Sequence, residues 1–350
     1  MKQIRRTVHR DWSRAVGACL APLLLTLFSC AQLAPKKGED VPPARPAMER
    51  ETFRSDRYLV CVPGGATTAA ELAEQYLGGP ERAWMIEEAN GGASFSANDA
   101  VVIPLRDENP GGLESDGYQT VPILCYHRFG KKKDGPLSVS EAAFARQMAF
   151  LADNGYHAIG LGELLDFLNY RRALPKKSVV ITIDDGYRSA YDIAYPILRR
   201  HGFTAALFVY TDFIGTGAKA MTWQQLGEMK ANGFEVGSHT VTHCDLSKKS
   251  AGEKDKAYRE RVKQELLESK QVLDERLGQD TVALAFPYGN ADPEILQLCQ
   301  SLGYRLGVTV RPGANPFFAD PLNLRREQIV ADNGPAFQER LKHFEPASLE

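Results

Sequence analysis

Two adjacent carboxylates stand at the end of an apolar run. Residues 178–183 read SVVITI, and Asp184, Asp185 and Gly186 follow directly. A short apolar run of this kind predicts a buried strand, so both acids lie where that strand ends. Two ionised carboxylates without water would repel each other, and a nearby cation would offset that repulsion. The pair therefore predicts a site where a cation is bound or a proton is transferred.

Two histidines follow another apolar run, in the sequence FEVGSHTVTH. His239 and His243 are four residues apart, so both side chains can turn toward one point if the segment enters a helical turn. Neutral imidazoles are good zinc ligands, and one carboxylate would complete a three-ligand site with open positions. Coincidence is the alternative for this spacing. It is disfavoured because the chain has only 7 histidines and this pair falls at a strand end.

The elements that position these residues alternate regularly from residue 120 onward. Six apolar runs, separated by amphipathic stretches, read VPILCYH, SVVITID, TAALFVY, FEVGSH, VALAFPYG and YRLGVTV. Strands and helices in alternation predict a parallel sheet covered by helices, and six or seven such units favour a barrel over an open sheet. In such barrels the chemistry lies at the carboxyl ends of the strands. No GxGxxG follows the first strand, so a dinucleotide-binding fold has no support.

Three motifs in order, TIDDG, SHTVTH and FPYG, resemble those of the polysaccharide deacetylases, carbohydrate esterase family 4. The resemblance extends over about residues 118–330. The sequences PILCYHRF and MTWQQLGEMKANGFEVGSHTVTH are most similar to the branch that includes poly-N-acetylglucosamine deacetylases. The resemblance implies an α/β fold, a distorted (β/α)7 barrel, and hydrolysis of N-acetyl groups from glycans. It also implies a divalent metal cofactor, most simply Zn²⁺.

The resemblance also implies roles for individual residues. Asp185 would bind the metal together with His239 and His243. Asp184 matches the catalytic base that activates the attacking water. The backbone N–H of Tyr288, in FPYG, would help to stabilise the oxyanion.

This chain departs from the family pattern at two points. Ala285, in LAFPYG, stands where the family usually has an arginine that orients the base. We assign that role to Arg325 and keep Arg326 as the alternative. The family's late LxxH histidine is also missing, since His343 is a poor match. His127, at the end of the first strand, is the candidate general acid, with a structural histidine as the alternative.

The N-terminal residues predict an exported protein. Residues 1–30 combine a basic start with a short apolar stretch, as in a bacterial signal peptide. They end in LFSC, which resembles a lipobox, so Cys30 would be lipidated and would anchor the protein to a bacterial membrane. An ordinary signal peptide with an incidental cysteine is the alternative. Residues 31–55 are rich in proline and charge and predict a flexible tether.

Two further segments complete the predicted organisation. Residues 56–105 predict a strand, two helices and a strand, and resemble a lysin motif, a module that binds N-acetylglucosamine-containing glycans. A spacer without ligand is the alternative. Residues 106–119 are polar and glycine-rich and predict a linker. The catalytic domain is predicted at 120–345.

Composition limits the function classes. The chain has 350 residues, of which 43% are hydrophobic and 25% charged, so it is globular. Its formal net charge of -2 gives no electrostatic footprint for nucleic acid. Two alternatives to an N-deacetylase of peptidoglycan or poly-N-acetylglucosamine stay open. One is a glycan-binding lipoprotein with an inactive barrel, and the other is an O-acetyl esterase with the same fold.

Overall fold

The computed structural model describes residues 50–330 and 334–347, so Cys30, the predicted signal peptide and most of the predicted tether lie outside the described residues. A parallel sheet forms the centre, in the order β6-β5-β4-β3-β2-β1-β7. Its strands are β1 Ile123–Tyr126, β2 Ser178–Asp185, β3 Ala206–Val209, β4 Glu235–Ser238, β5 Ala283–Ala285, β6 Leu306–Val308 and β7 Glu327–Gln328. A short strand, His157–Ala158, pairs with the beginning of β2.

The sheet curls until its two edges are joined by one short segment. Leu324 forms a parallel bridge with Val308 of β6. Its N–H donates to the carbonyl of Gly307 at 2.9 Å, and its carbonyl accepts from the N–H of Thr309 at 2.9 Å. β7 begins soon after Leu324 and pairs with β1. The predicted α/β class and distorted seven-stranded barrel are therefore confirmed.

Seven helices of the described residues accompany this sheet. They are α1 Glu141–Asp153, α2 Leu161–Leu168, α3 Tyr195–Arg200, α4 Trp223–Ala231, α5 Asp255–Leu277, α6 Pro293–Ser301 and α7 Gly334–Gln338. Local sequence sets their ends: the Thr222 side chain caps α4 in a capping box, and Gly278 ends α5 with φ 59°. None of the helices in the described ranges combines the length and the apolar character that crossing a membrane requires.

Side chains of β2 alternate between two environments. Val179, Ile181 and Ile183 belong to an apolar cluster that also contains residues of α1, α3 and α4. Thr182 and Asp184 face the barrel interior, because successive side chains of a strand point to opposite faces. The alternation thus delivers one of the two adjacent acids into the barrel.

The N-terminal segment contains the four predicted elements. Strands Tyr58–Val62 and Val101–Pro104 pair antiparallel, and helices Ala69–Tyr76 and Ala83–Asn90 lie between them in the chain. The Thr68 side chain caps the first helix. These elements enclose an apolar cluster of their own. Identification of the segment as a glycan-binding lysin motif stays a prediction.

Two predicted boundaries are wrong. The predicted tether, 31–55, contains a strand, Arg50–Arg54, that pairs antiparallel with Tyr58–Val62. Most of the second half of the predicted linker, 106–119, lies in strands, since Leu113–Glu114 pairs with Gly117–Val121.

Strand Gly117–Val121 also pairs with Asn315–Pro316 and Phe344–Pro346. Both partners come from the far end of the chain, so the polar, glycine-rich composition around residue 117 does not reveal the strand. Pairing of this kind is decided by tertiary contacts, which override local propensity.

Candidate active site

Asp184, at the end of β2, is almost completely buried and paired with an arginine. Its side chain is 1% exposed, and Arg326 is 0% exposed. Arg326 donates from Nη1 to Oδ1 of Asp184 at 2.8 Å and from Nη2 to Oδ2 at 2.6 Å. Nη1 of Arg326 also donates to the hydroxyl of Thr182 at 3.0 Å, and Nε donates to the carbonyl of Thr309 at 2.7 Å. The Cys125 thiol lies 3.6 Å from Oδ2 of Asp184.

This pairing keeps Asp184 ionised. Burial alone would raise the pKa of the carboxyl, but the Arg326 guanidinium and the His239 ring hold that pKa well below its usual range. Arg325, which we predicted for this position, is exposed, and its backbone N–H donates to Asn315. The prediction of Arg325 is therefore wrong and its alternative, Arg326, occupies the position, because adjacent side chains on the way into β7 point in opposite directions.

Asp185 lies in a different environment from its neighbour. Its backbone has φ 78°, and Gly186 follows with φ 89°, so the chain turns sharply and Asp185 reaches the barrel rim. A Cβ on Gly186 would lie 2.6 Å from Ile214, which explains the glycine. Within the described residues, Oδ1 of Asp185 is the one buried side-chain oxygen or nitrogen without a hydrogen-bond partner. Burial and the charge of Asp184 raise the pKa of Asp185 to about 6.

Two imidazole nitrogens face this carboxylate oxygen. Nε2 of His239 lies 3.6 Å from Oδ1 of Asp185, and Nε2 of His243 lies 3.4 Å from it. His239 is 2% exposed, and its Nδ1 lies 2.7 Å from the carbonyl of Ala285. Since a carbonyl only accepts, Nδ1 carries the proton and the Nε2 lone pair is free for a metal.

The donor set fits a divalent metal. Burial lowers the pKa of His239 to about 4 and also lowers the pKa of His243, so both rings are neutral at physiological pH. One ligand atom from each histidine and one from Asp185 lie within 4.8 Å of one another. Two neutral imidazoles and a partnerless buried carboxylate oxygen form the kind of donor set that binds zinc.

Backbone strain is concentrated at this cluster. Among non-glycine residues of the described ranges, five have positive φ, and one of them, Tyr170, is remote in sequence from the motifs. The other four are Asp185 at 78°, Thr240 at 70°, His243 at 62° and Tyr288 at 60°. Such conformations are costly and cluster at functional sites, where the surrounding structure holds them.

His127 and Tyr288 line the same cavity as the acids and the histidines, with a volume of about 250 Å³. His127 follows β1 and is 8% exposed, and burial lowers its pKa. The Tyr288 ring is 61% exposed, with its centroid 5.0 Å from that of His243. Six of the seven predicted catalytic and metal-binding residues therefore come together in one cavity, although their individual roles stay predictions.

Sequence reasoning missed two residues next to this cavity. Cys125 is a buried thiol whose pKa burial raises well above the usual value, and its strand position alone gives no signal. Glu265 of α5 contacts the segment between the two histidines. A signal for Glu265 was present, because it occupies the buried stripe of α5 formed by Val262, Leu266, Ser269 and Leu273.

Comparison with known proteins extends these observations. The family model described as polysaccharide deacetylase matches residues 171–307. YxkH of Bacillus subtilis (strain 168), a polysaccharide deacetylase by name, is 30% identical over 209 residues, which cover 60% of this chain and 71% of that protein. The poly-β-1,6-N-acetyl-D-glucosamine N-deacetylase of Staphylococcus aureus (strain MRSA252) is 26% identical over 220 residues, covering 59% of this chain and 72% of that protein.

A longer relative and a solved structure agree with these matches. The protein of the same name from Escherichia coli (strain K12) is 25% identical over 238 residues, covering 58% of this chain but only 35% of that protein. The Streptococcus pyogenes deacetylase PplD, solved in complex with acetate, matches with a TM-score of 0.58 and 31% identity. The match covers 65% of this chain and 99% of PplD. The motifs, the curled parallel sheet and these relatives establish that the chain belongs to the polysaccharide deacetylase family, hydrolases that act on N-acetyl amides.

Proposed function

We propose that this protein is a metal-dependent deacetylase that removes N-acetyl groups from an N-acetylglucosamine-containing polysaccharide. One observation carries the proposal: an arginine-paired carboxylate, Asp184, lies beside a partnerless one, Asp185, that faces two neutral imidazoles. The relatives named for poly-β-1,6-N-acetyl-D-glucosamine support the substrate class.

Asp185, His239 and His243 would hold the metal, and Zn²⁺ is the simplest choice for this donor set. When bound, a divalent metal supplies Lewis acidity, which polarises a carbonyl and makes water more acidic. Asp184 is ionised and fixed by Arg326, so it accepts the proton of the attacking water without moving.

We assign to His127 the return of that proton to the leaving amine. Its ring is buried and its pKa is lowered, so it is neutral in the resting site and must first accept a proton. A ring nitrogen of His127 and a carboxylate oxygen of Asp184 lie within 4.8 Å of each other. A proton taken up at Asp184 therefore has a short route to His127, and from there to the amine.

An aromatic row beside the cavity supports a sugar substrate. The Tyr210 ring lies 5.4 Å from that of His243 and stacks on Phe213 at 5.0 Å. Phe213 in turn contacts Tyr187 at 5.2 Å. The rings are partly exposed, which suits contact with the apolar face of a sugar, whereas the small cavity suits the acetamide group.

We also propose that the protein is exported and anchored through Cys30, and that residues 56–105 bind the same class of glycan. Sequence alone supports both statements. Cys30→Ala should move the protein from the membrane fraction to the soluble periplasmic fraction, and unchanged fractionation would contradict the anchor. Retention of the isolated segment on purified peptidoglycan would support glycan binding, whereas its loss would favour a spacer.

The deciding experiment measures acetate released from poly-β-1,6-N-acetylglucosamine and from purified peptidoglycan, each with and without Zn²⁺. Asp184→Asn serves as the control for background hydrolysis. We expect zinc-dependent acetate release from at least one of the two glycans. Release only from an O-acetyl ester would replace the proposal with the esterase alternative, and glycan binding without release would favour an inactive barrel.

A further inference from the structure

The segment between the two histidines is held by a buried carboxylate from the long helix α5. The backbone N–H groups of Val241 and Thr242 donate to Oε2 of Glu265 at 2.9 and 3.0 Å. The Thr242 hydroxyl donates to Oε1 at 2.7 Å. Glu265 is 8% exposed, so its carboxylate is taken out of water and is satisfied by donors from this segment.

Helix α5 makes a second connection to the same segment one turn later. The hydroxyls of Ser269 and Ser238 are 2.8 Å apart, and Ser238 Oγ accepts from the N–H of Thr240 at 3.1 Å. Ser238 is the last residue of β4, directly before His239. The helix therefore contacts residues 238–243, called the metal-binding segment below, at the beginning and in the middle.

The loop after β3 holds the opposite side of the segment. The N–H groups of Thr211 and Asp212 donate to the carbonyls of Thr240 and Val241 at 3.1 and 3.0 Å. Two N–H groups of the segment, those of Val241 and Thr242, thus donate to Glu265, while the carbonyls of Thr240 and Val241 accept from the loop. These hydrogen bonds all go to backbone atoms of residues 240–242, and together they define the path of the backbone.

Strain explains why this segment needs such support. Thr240 and His243 have φ values of 70° and 62°, and such conformations persist only when the surroundings determine them. Without Glu265, two N–H groups would lose their partners, and the segment would relax toward ordinary backbone angles. Because His239 and His243 flank the segment, relaxation would separate their Nε2 atoms.

We propose that Glu265 is a positioning residue that fixes His239 and His243 at the separation a metal requires. This inference rests on the proposed metal site. It assigns to Glu265 no contact with substrate or metal, only the hydrogen bonds that hold the intervening backbone. Outer partners of this kind typically change metal affinity by about 10–100-fold.

The chain offers a matched control at the other end of β4. Glu235 is a partly buried carboxylate that also binds two backbone N–H groups, those of Leu161 at 2.6 Å and Gly162 at 3.2 Å. These contacts lie at the beginning of α2, remote from the histidines. Substituting Glu235 therefore removes two hydrogen bonds to backbone N–H groups, as substituting Glu265 does, but it leaves the contacts of the metal-binding segment intact.

The experiment measures the Zn²⁺ dissociation constant of the metal-free protein by calorimetry, with the melting temperature of each variant recorded alongside. Glu265→Ala should weaken zinc binding by about 10–100-fold. Glu265→Gln should restore most of the affinity, because its amide oxygen accepts both N–H groups and its NH2 donates to the Thr242 hydroxyl. Glu235→Ala should lower the melting temperature and leave zinc affinity unchanged.

Wild-type zinc affinity in a folded Glu265→Ala would overturn this inference while leaving the metal site intact. Absence of zinc binding by the wild-type protein would instead overturn the proposed metal site. If Glu265→Ala does not fold, Glu265→Asp and Thr242→Ala decide the matter, since each weakens the contact without removing the buried charge. Reduced zinc affinity in both supports the positioning role, and unchanged affinity in both contradicts it.

Discussion

Asp184 and Asp185 are neighbours on β2, yet they lie in opposite environments. The two oxygens of Asp184 accept from Arg326, whereas Oδ1 of Asp185 has no donor and faces two imidazole nitrogens. Burial raises the proton affinity of both acids, but the arginine reverses that effect for Asp184 alone. The different roles of the two acids are therefore set by the groups that surround each carboxylate, rather than by residue type or by position along the strand. The charge of Asp184 is balanced by Arg326 within the protein, whereas Asp185 and the two histidines need a cation.

The largest effects should come from substituting each acid in turn. Asp184→Asn leaves the Arg326 charge buried without a counter-ion, so the free energy of unfolding should fall by about 3–5 kcal/mol. Turnover should also fall by about 10²–10⁴-fold, because the proton acceptor is lost. Zinc binding should survive. Urea unfolding, acetate release and metal analysis check these three outcomes.

Asp185→Asn should give the opposite pattern. It removes a partnerless buried carboxylate, so the metal-free protein should keep its stability, while zinc binding and turnover are lost. Equal losses of stability in the two variants would erase the contrast between the acids.

The next effect concerns the two adjacent arginines. Arg326→Met should lower the free energy of unfolding by about 3 kcal/mol, because Asp184 is left buried and unpaired. Arg325→Met changes an exposed side chain and should stay within about 0.5 kcal/mol of the wild type. Similar losses of stability and turnover in both variants would show that Arg326 has no special role.

His127 tests the proton route on the Asp184 side. His127→Ala should lower kcat by about 10²–10⁴-fold while zinc content and stability are retained. His201→Ala, at the end of α3, is the control and should leave kcat unchanged. Steady-state kinetics with metal analysis separates these outcomes, and wild-type kcat in His127→Ala would leave His127 a purely structural role.

The smallest expected effect is the stabilisation by bound metal on the Asp185 side. Zinc at about 100 times its dissociation constant should raise the free energy of unfolding by about 2.7 kcal/mol, and a chelator should reverse this. Asp185→Asn should not respond to zinc. Thermal unfolding measures both, and a response of equal size in Asp185→Asn would place the ion elsewhere.

Sequence alone predicts most of the barrel and the cavity, because an alternating βα pattern shows where each strand ends. Asp184, Asp185, His239 and His243 each follow an apolar run, and parallel strands bring such ends to one rim. The choice between Arg325 and Arg326 needs the direction of side chains where the sheet closes through Leu324, a single bridge that no periodic pattern reveals.

Other features depend on partners distant in sequence. Strand Gly117–Val121 exists because of its pairing with 315–316 and 344–346, so local composition suggests a linker. The contact between Glu265 and the 241–242 backbone likewise depends on how α5 lies against β4. The sequence indicates this contact only by placing a charged residue, Glu265, among the buried, mostly apolar residues of α5.

Zinc titration of the metal-free protein, with acetate release from an N-acetylglucosamine oligomer as the readout, tests the metal-dependent mechanism most directly. We expect no release without metal, and activity that rises with zinc and reaches a plateau at a single equivalent per chain. Asp185→Asn should stay inactive throughout the titration. Full turnover by the metal-free protein, or by Asp185→Asn, would contradict a metal held by Asp185, His239 and His243.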